Sequence, residues 1–309
     1  LIAKTATKTS AKIVIAVNAN AQVYKNVFKT RFSFTTERLE EAGDGPELIL
    51  MNHSSFIDLK IASALLFPRR YNIVMTSDGF VGKNLLMRLV GCIPTQKFVT
   101  DLSLIRDMKY MLHEKKTSVL LFPEAGYSFD GKATTMPAVM GGLCKMLDVP
   151  VLMITTHNAF ARDPLYNGLQ NRKVRTSADV TTLLTLEEVR GKSAEELDAI
   201  VQKAFDFDNL AEQYERGVKI TETFRADGLH RILYKCPACM AEGDMEGKGT
   251  ELTCHACGKT WFLNEDSRLE ARDGVTEYPH IPDWYAWERQ EVKREIDRGE
   301  YRLDTPVQI

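Results

Sequence analysis

Leu48-Ile49-Leu50-Met51-Asn52-His53-Ser54-Ser55-Phe56-Ile57-Asp58 is the stretch on which the reading of this chain turns. Four apolar residues in a row, Leu48 to Met51, predict a short strand buried on both faces. Strands of that kind belong to parallel sheets covered by helices. The polar run from Asn52 then falls at the carboxyl end of the strand. A helix is predicted from Ser55 to Leu66, stopped by Pro68, with Ser54 and Ser55 as its caps. Sites in open α/β sheets are built at such strand ends. His53 and Asp58, five positions apart, can form a base with its orienting carboxylate. Alone, the spacing reads first as a turn closed by His53 and a helix capped by Asp58.

The rest of the chain alternates in the same way. Phe32 to Thr36, Tyr71 to Thr76, Ser118 to Phe122 and Val149 to Thr155 read as strands. Leu102 to His113 reads as a helix with Leu102, Ile105, Met108 and Leu112 on one stripe, and Val139 to Leu147 as another. Val174 to Thr185 alternates like a more exposed strand. Ser193 and Glu196 form a capping box for a helix to Phe205, and Asn209 to Arg216 is helical. This order predicts an α/β fold, a mainly parallel sheet with helices on both faces. Lys83 to Val90 carries Leu85, Leu86 and Leu89 beside Lys83 and Arg88, so it either packs on the core or turns its leucines to lipid.

At 309 residues, one medium domain with a small appendage is expected. The predicted organisation is a basic helical segment over 1–30, a main domain over 31–228, a ribbon over 229–275 and a helical tail over 276–309. The net charge is −2, but residues 1–36 hold six basic side chains and no acid, so the remainder carries −8. Ile13, Val17, Tyr24 and Phe28 recur at helical spacing in that segment. A basic amphipathic segment suits an anionic membrane surface, and an ordinary docked helix with solvated lysines fits the same pattern. No stretch approaches the roughly 18 apolar residues of a spanning helix, and no secretory leader is visible.

Cys236, Cys239, Cys254 and Cys257 form CxxC-x14-CxxC, the spacing of a four-thiolate zinc site. Four thiolates leave no open position for substrate, so the zinc is predicted to be structural. His255 is expected to stay outside the ligand set. Cys92 and Cys144 are expected to be buried, inert thiols. Residues 231–309 carry 11 Lys and Arg against 16 Asp and Glu, the wrong sign for binding nucleic acid. Asp283 is a candidate cap for a last helix, whose Trp284, Tyr285 and Trp287 either anchor it to its own domain or face a partner.

Three motifs in order carry a resemblance: Asn52-His53-Ser54-Ser55-Phe56-Ile57-Asp58, then Phe122-Pro123-Glu124-Ala125-Gly126-Tyr127-Ser128, then Val149-Pro150-Val151. The chain from roughly Arg31 to Phe205 resembles the glycerophospholipid acyltransferase family, whose pattern is NHxxxxD, a G-x-x-x-x-x-R block, FPEGTRS and a VP block. The resemblance implies acyl transfer from acyl-CoA or an acyl-carrier protein to the hydroxyl of a lysophospholipid, in phospholipid biosynthesis. It makes His53 the base and Asp58 its orienting partner. Lys97, Glu124, Gly126, Tyr127 and Ser128 become the acceptor-binding positions. With the basic leading segment, it implies a cytoplasmic protein held peripherally on the inner face of the membrane. Two positions depart from the pattern. Tyr127 and Lys97 stand where the family has Arg, and neither grips a phosphate bidentately as Arg does. Lys132, Arg106 and Lys83 are the other cations available. Met153 replaces a proline in the last block, a packing change. The altered acceptor positions keep a second class open: a non-catalytic lipid-binding or interaction protein built on the same domain.

Overall fold

The computed structural model describes residues 32–302, apart from 68, 97–100, 125, 135 and 138. The helix expected over 1–30 therefore lies outside the described residues.

Strand β2 (Leu48–Met51) sits inside a seven-stranded sheet and alternates between two cores. Leu48 and Leu50 pack with Met108, Leu112, Cys144, Leu147 and Leu197 on one face. Ile49 and Met51 pack with Ile57, Ile61, Ala62 and Leu66 on the other. All four are essentially inaccessible to solvent, which is why the run is apolar without a break.

The other strands are β1 (Phe32–Glu37), β3 (Tyr71–Thr76), β4 (Cys92–Thr95), β5 (Ser118–Leu121), β6 (Val151–His157) and β7 (Thr176–Leu184). Their order is β1-β7-β6-β2-β5-β3-β4. Five neighbours, β6 through β4 in that order, run parallel. β7 runs antiparallel to β6, and β1 runs parallel to β7. The expected mainly parallel sheet with helices on both faces is therefore present, and β7 has the alternating burial read from its sequence.

Two local expectations change. The first helix begins at Asp58, not Ser55, because Ser55 to Asp58 forms a turn with Asp58 N donating to Ser55 O at 3.1 Å. In the helix Leu102–Lys109, Met108 is fully buried but Leu102 is 74 % exposed. A stripe fixes the facing side of a helix, while how far along its length the core reaches depends on what packs there. Helices Met140–Leu147 and Ala194–Ala204 approach so closely at Gly141 that a Cβ there would meet Ala194 O at 1.9 Å.

The chain divides into two compact units. The first holds the large sheet and takes residues up to 128, 133–163 and 175–208. The second takes residues 129–132, 164–174 and 209 onward. It contains an antiparallel sheet of β8 (Met245–Lys248), β9 (Glu251–Cys254), β10 (Thr260–Leu263) and β11 (Leu269–Ala271), in the order β11-β10-β9-β8. The last helix, Ile281–Asp297, is flanked by His280 at its N-cap position and has Pro in its first turn; Asp283 lies inside that turn rather than capping it. Trp284 is fully buried and meets Trp261 edge-on at 4.9 Å, so the aromatic cluster anchors this helix within its own unit.

Candidate active site

β2 ends at Met51, and Asn52 ties the departing chain to neighbouring β6. Asn52 Oδ1 accepts from Thr156 N at 2.7 Å, and its Nδ2 donates to Thr156 O at 3.2 Å. The Thr156 hydroxyl lies 3.1 Å from Asn52 Oδ1 and 3.3 Å from Asp58 Oδ1. Asp58 is completely buried. Its Oδ2 accepts from the backbone N–H groups of Ser54 and Ser55 at 2.7 and 2.8 Å and stands 3.2 Å from His53 Nδ1. A buried carboxylate needs such donors in place of water. Asp58 thus serves the serines' backbone, the reverse of the expectation that Ser54 and Ser55 cap the helix. Ser55 Oγ accepts weakly from Ile57 N at 3.3 Å.

An ionised Asp58 accepts only, so the proton of the imidazole sits on Nδ1 and Nε2 carries the lone pair. The His53 side chain keeps 20 % of its surface open. Its ring lies between Phe122, stacked at 4.2 Å, and Tyr127, tilted at 4.1 Å. The geometry can therefore take a proton at Nε2 from a group approaching the carboxyl edge of the sheet.

Glu124 follows β5 and spends both oxygens on the loops. Oε1 accepts from His53 N at 3.0 Å, and Oε2 from Thr134 N at 2.8 Å and Thr134 Oγ1 at 3.2 Å. Burial pushes its carboxyl above the ordinary range, and the N–H donors of Thr134 and His53 pull the other way. Ser128 is buried and its N donates to His53 O at 2.9 Å. The second motif thus braces the first, with Gly126 part-exposed between Glu124 and Tyr127. Burial also raises the Tyr127 phenol, with Asp58 and Asp163 adding to the effect. Lys97 lies outside the described residues.

Asn52, Thr134, Thr156 and Asp163 joined no site in the sequence reading. Asp163 accepts from the Ser55 hydroxyl, and burial raises its pKa. Thr156 had a signal: a polar residue two places beyond Ile154, on the same face of a buried strand. Asp163 and Thr134 had none. A second pair, His157 Nε2 to Asp179 Oδ2 at 2.8 Å, joins β6 to β7.

In the second unit, the Sγ atoms of Cys236, Cys239, Cys254 and Cys257 all lie within 4.8 Å of one another, a group that can hold a metal ion. The two knuckles match: Met240 N donates to Cys236 O at 2.9 Å and Gly258 N to Cys254 O at 2.8 Å. Met240 and Gly258 both have positive φ, 65° and 75°. His255 is 59 % exposed on its side chain and pairs with Glu246, away from the thiols.

Residues 31–164 match the family model described as Acyltransferase. That match covers less than half of the chain and takes in His53, Asp58 and Glu124. Among solved structures, the chain is similar to the 1-acyl-sn-glycerophosphate (LPA) acyltransferase PlsC from Thermotoga maritima. The identity is 17 % and the TM-score 0.44, over 68 % of this chain and 80 % of that one. A comparison with curated proteins finds no match.

Proposed function

We propose that the chain transfers a fatty acyl group from a thioester, acyl-CoA or acyl-carrier protein, to the free hydroxyl of a lysophospholipid. The observation that carries this reading is the His53–Asp58 contact of 3.2 Å, which takes up Nδ1 and leaves Nε2 outside the pair, on a side chain 20 % open. Nε2 takes the hydroxyl proton as the substrate oxygen attacks the thioester carbonyl. The imidazolium so formed is held by the buried Asp58 charge. The tetrahedral intermediate then collapses, the C–S bond breaks, and the proton on Nε2 passes to the departing sulfur. No enzyme nucleophile is needed, since the substrate hydroxyl stands where a serine would in a triad. Glu124 and Ser128 act by holding the His53 loop, and Tyr127 by packing on the imidazole. Tyr127 and Lys97, in place of two arginines, favour an acceptor whose phosphate is not gripped bidentately.

Zinc is the ion that best suits the four thiols. Arms of about 2.3 Å to a tetrahedral centre set the sulfurs about 3.8 Å apart. The Cys236–Cys257 and Cys239–Cys254 separations are 3.9 and 3.7 Å, far beyond a disulfide bond of about 2.05 Å. The site is structural, and metal analysis of purified protein should give one zinc per chain. Among the described residues no helix is long and apolar enough to cross a membrane. The basic segment over 1–36 is proposed as a peripheral contact with the inner face of an anionic membrane.

Incubation with labelled palmitoyl-CoA and a panel of lysolipids tests the reaction. Product should form with at least one acceptor and vanish in His53→Ala. Absence of transfer from both palmitoyl-CoA and palmitoyl-carrier protein to every acceptor overturns the proposal.

A further inference from the structure

The helix Asn84–Leu89 buries none of its residues, although four of its six are large and apolar. Leu85 is 74 % exposed, Leu86 51 %, and Val81 in the turn before it 79 %. A helix docked on a protein core presents its apolar side inward. Here the two leucines face out, and Lys83 and Arg88 lie exposed on either side of them in the sequence. Between residues 77 and 91 the chain holds one acid, Asp78, against those two cations, in a protein that is acidic overall beyond residue 36. Apolar tips among basic side chains match an anionic bilayer: leucines enter the acyl region while Lys and Arg stems bring their charges to the head groups.

Topology places this patch beside the site. β3, which leads into it, runs parallel to β2 with only β5 between them. Residues 77–89 therefore leave the same carboxyl edge as His53, two strand spacings or about 10 Å across the sheet. Phe56, three residues beyond His53, is itself 56 % exposed, with Lys60 Nζ 5.8 Å from its ring centre.

We propose that this edge docks on an anionic bilayer through Val81, Leu85, Leu86, Lys83 and Arg88, so that His53 meets its acceptor in the membrane plane. This contact is separate from that of residues 1–36. Its purpose rests on the acyltransferase reading, but docking is measured without substrate.

The full chain is mixed with vesicles of phosphatidylcholine, with or without phosphatidylglycerol, and sedimented. Leu85→Glu combined with Leu86→Glu should weaken binding at least tenfold with residues 1–36 intact. Lys83→Glu with Arg88→Glu should abolish the preference for phosphatidylglycerol. Turnover of the leucine double variant should fall about tenfold on a vesicle-embedded lysolipid and stay within twofold on a short-chain, water-soluble one. Vesicle binding by wild type with no acylation of any lysolipid upholds the docking and removes the acyltransferase reading. Undiminished vesicle binding by the leucine variant overturns the docking. So does equal loss on both acceptors, which assigns the leucines to catalysis. Concentration-dependent self-association that the leucine variant lacks, without vesicle binding by wild type, also overturns it and identifies a second copy of the chain as the occupant.

Discussion

Two His–Asp pairs stand on the same sheet, and they are buried the opposite way round. In His53–Asp58 the carboxylate is sealed at 0 % exposure and the imidazole keeps an open edge of 20 %. In His157–Asp179 the imidazole is nearly closed at 10 % and the carboxylate is half in water at 47 %. The bonded nitrogen differs too: Nδ1 in the first pair, Nε2 in the second. The first pair keeps its charge away from solvent, where it acts at full strength on the imidazole, and leaves the far nitrogen to meet a substrate. The second commits the far nitrogen to the protein. Its carboxylate also accepts from the Thr35 hydroxyl, so it links β6, β7 and β1. Under the proposed reaction, which partner is buried, more than the pairing itself, separates a base from a brace.

The largest expected effect breaks this comparison if it is wrong. His53→Ala should lower kcat by about 10³-fold, within the usual range for a general base. His157→Gln should leave kcat within twofold. Comparable losses in steady-state assays of the two variants would erase the distinction drawn from burial. Next comes Asp58→Asn, expected to cost about 10²-fold. The amide can still accept from Ser54 N and Ser55 N, so the loop keeps its shape while the imidazole loses its orienting charge. The matching Asp179→Asn should again stay within twofold.

A smaller effect sharpens the comparison through the support behind the first pair. Asp163 accepts from Ser55 Oγ, and Ser55 N donates to Asp58 Oδ2. Ser55→Ala and Asp163→Ala should each lower kcat about tenfold with KM little changed. The double variant should be no worse than either, because coupled neighbours are not additive. Asp163→Asn retains an acceptor and should restore most of the rate. Full additivity of the two alanine variants would show that Asp163 does not act through Ser55.

The readable and unreadable parts of this site follow from distance along the chain. His53 and Asp58 share one turn, so their spacing was visible, as were the paired knuckles of the cysteines. β2 was visible because a strand covered on both faces tolerates no polar residue from Leu48 to Met51. The ties that hold the dyad were not. Thr156 reaches Asn52 across 104 residues, and Asp163 reaches Ser55 across 108. No local pattern records which side chains two distant loops bring together. The role expected of Glu124 shows the same limit. Its place after β5 was legible, but the engagement of both its oxygens by His53 N and Thr134 depends on a loop folded over it. The sequence leaves the face of Leu85 and Leu86 open between core and lipid, since spacing alone states that a helix has two sides and not which one is covered.

The smallest effect concerns the second pair alone, in stability rather than rate. Asp179→Ala leaves His157 Nε2 without its acceptor at a side chain only 10 % exposed. Losing that hydrogen bond should cost about 1 kcal/mol, with exposure of the carboxylate keeping the figure low. Asp179→Asn, which can still accept through its amide oxygen, should cost less. Urea midpoints at constant m-value measure both. A loss of about 4 kcal/mol would mean that the half-exposed carboxylate interacts as strongly as a sealed one. The contrast in burial would then no longer explain why one pair is free to move a proton and the other only joins strands.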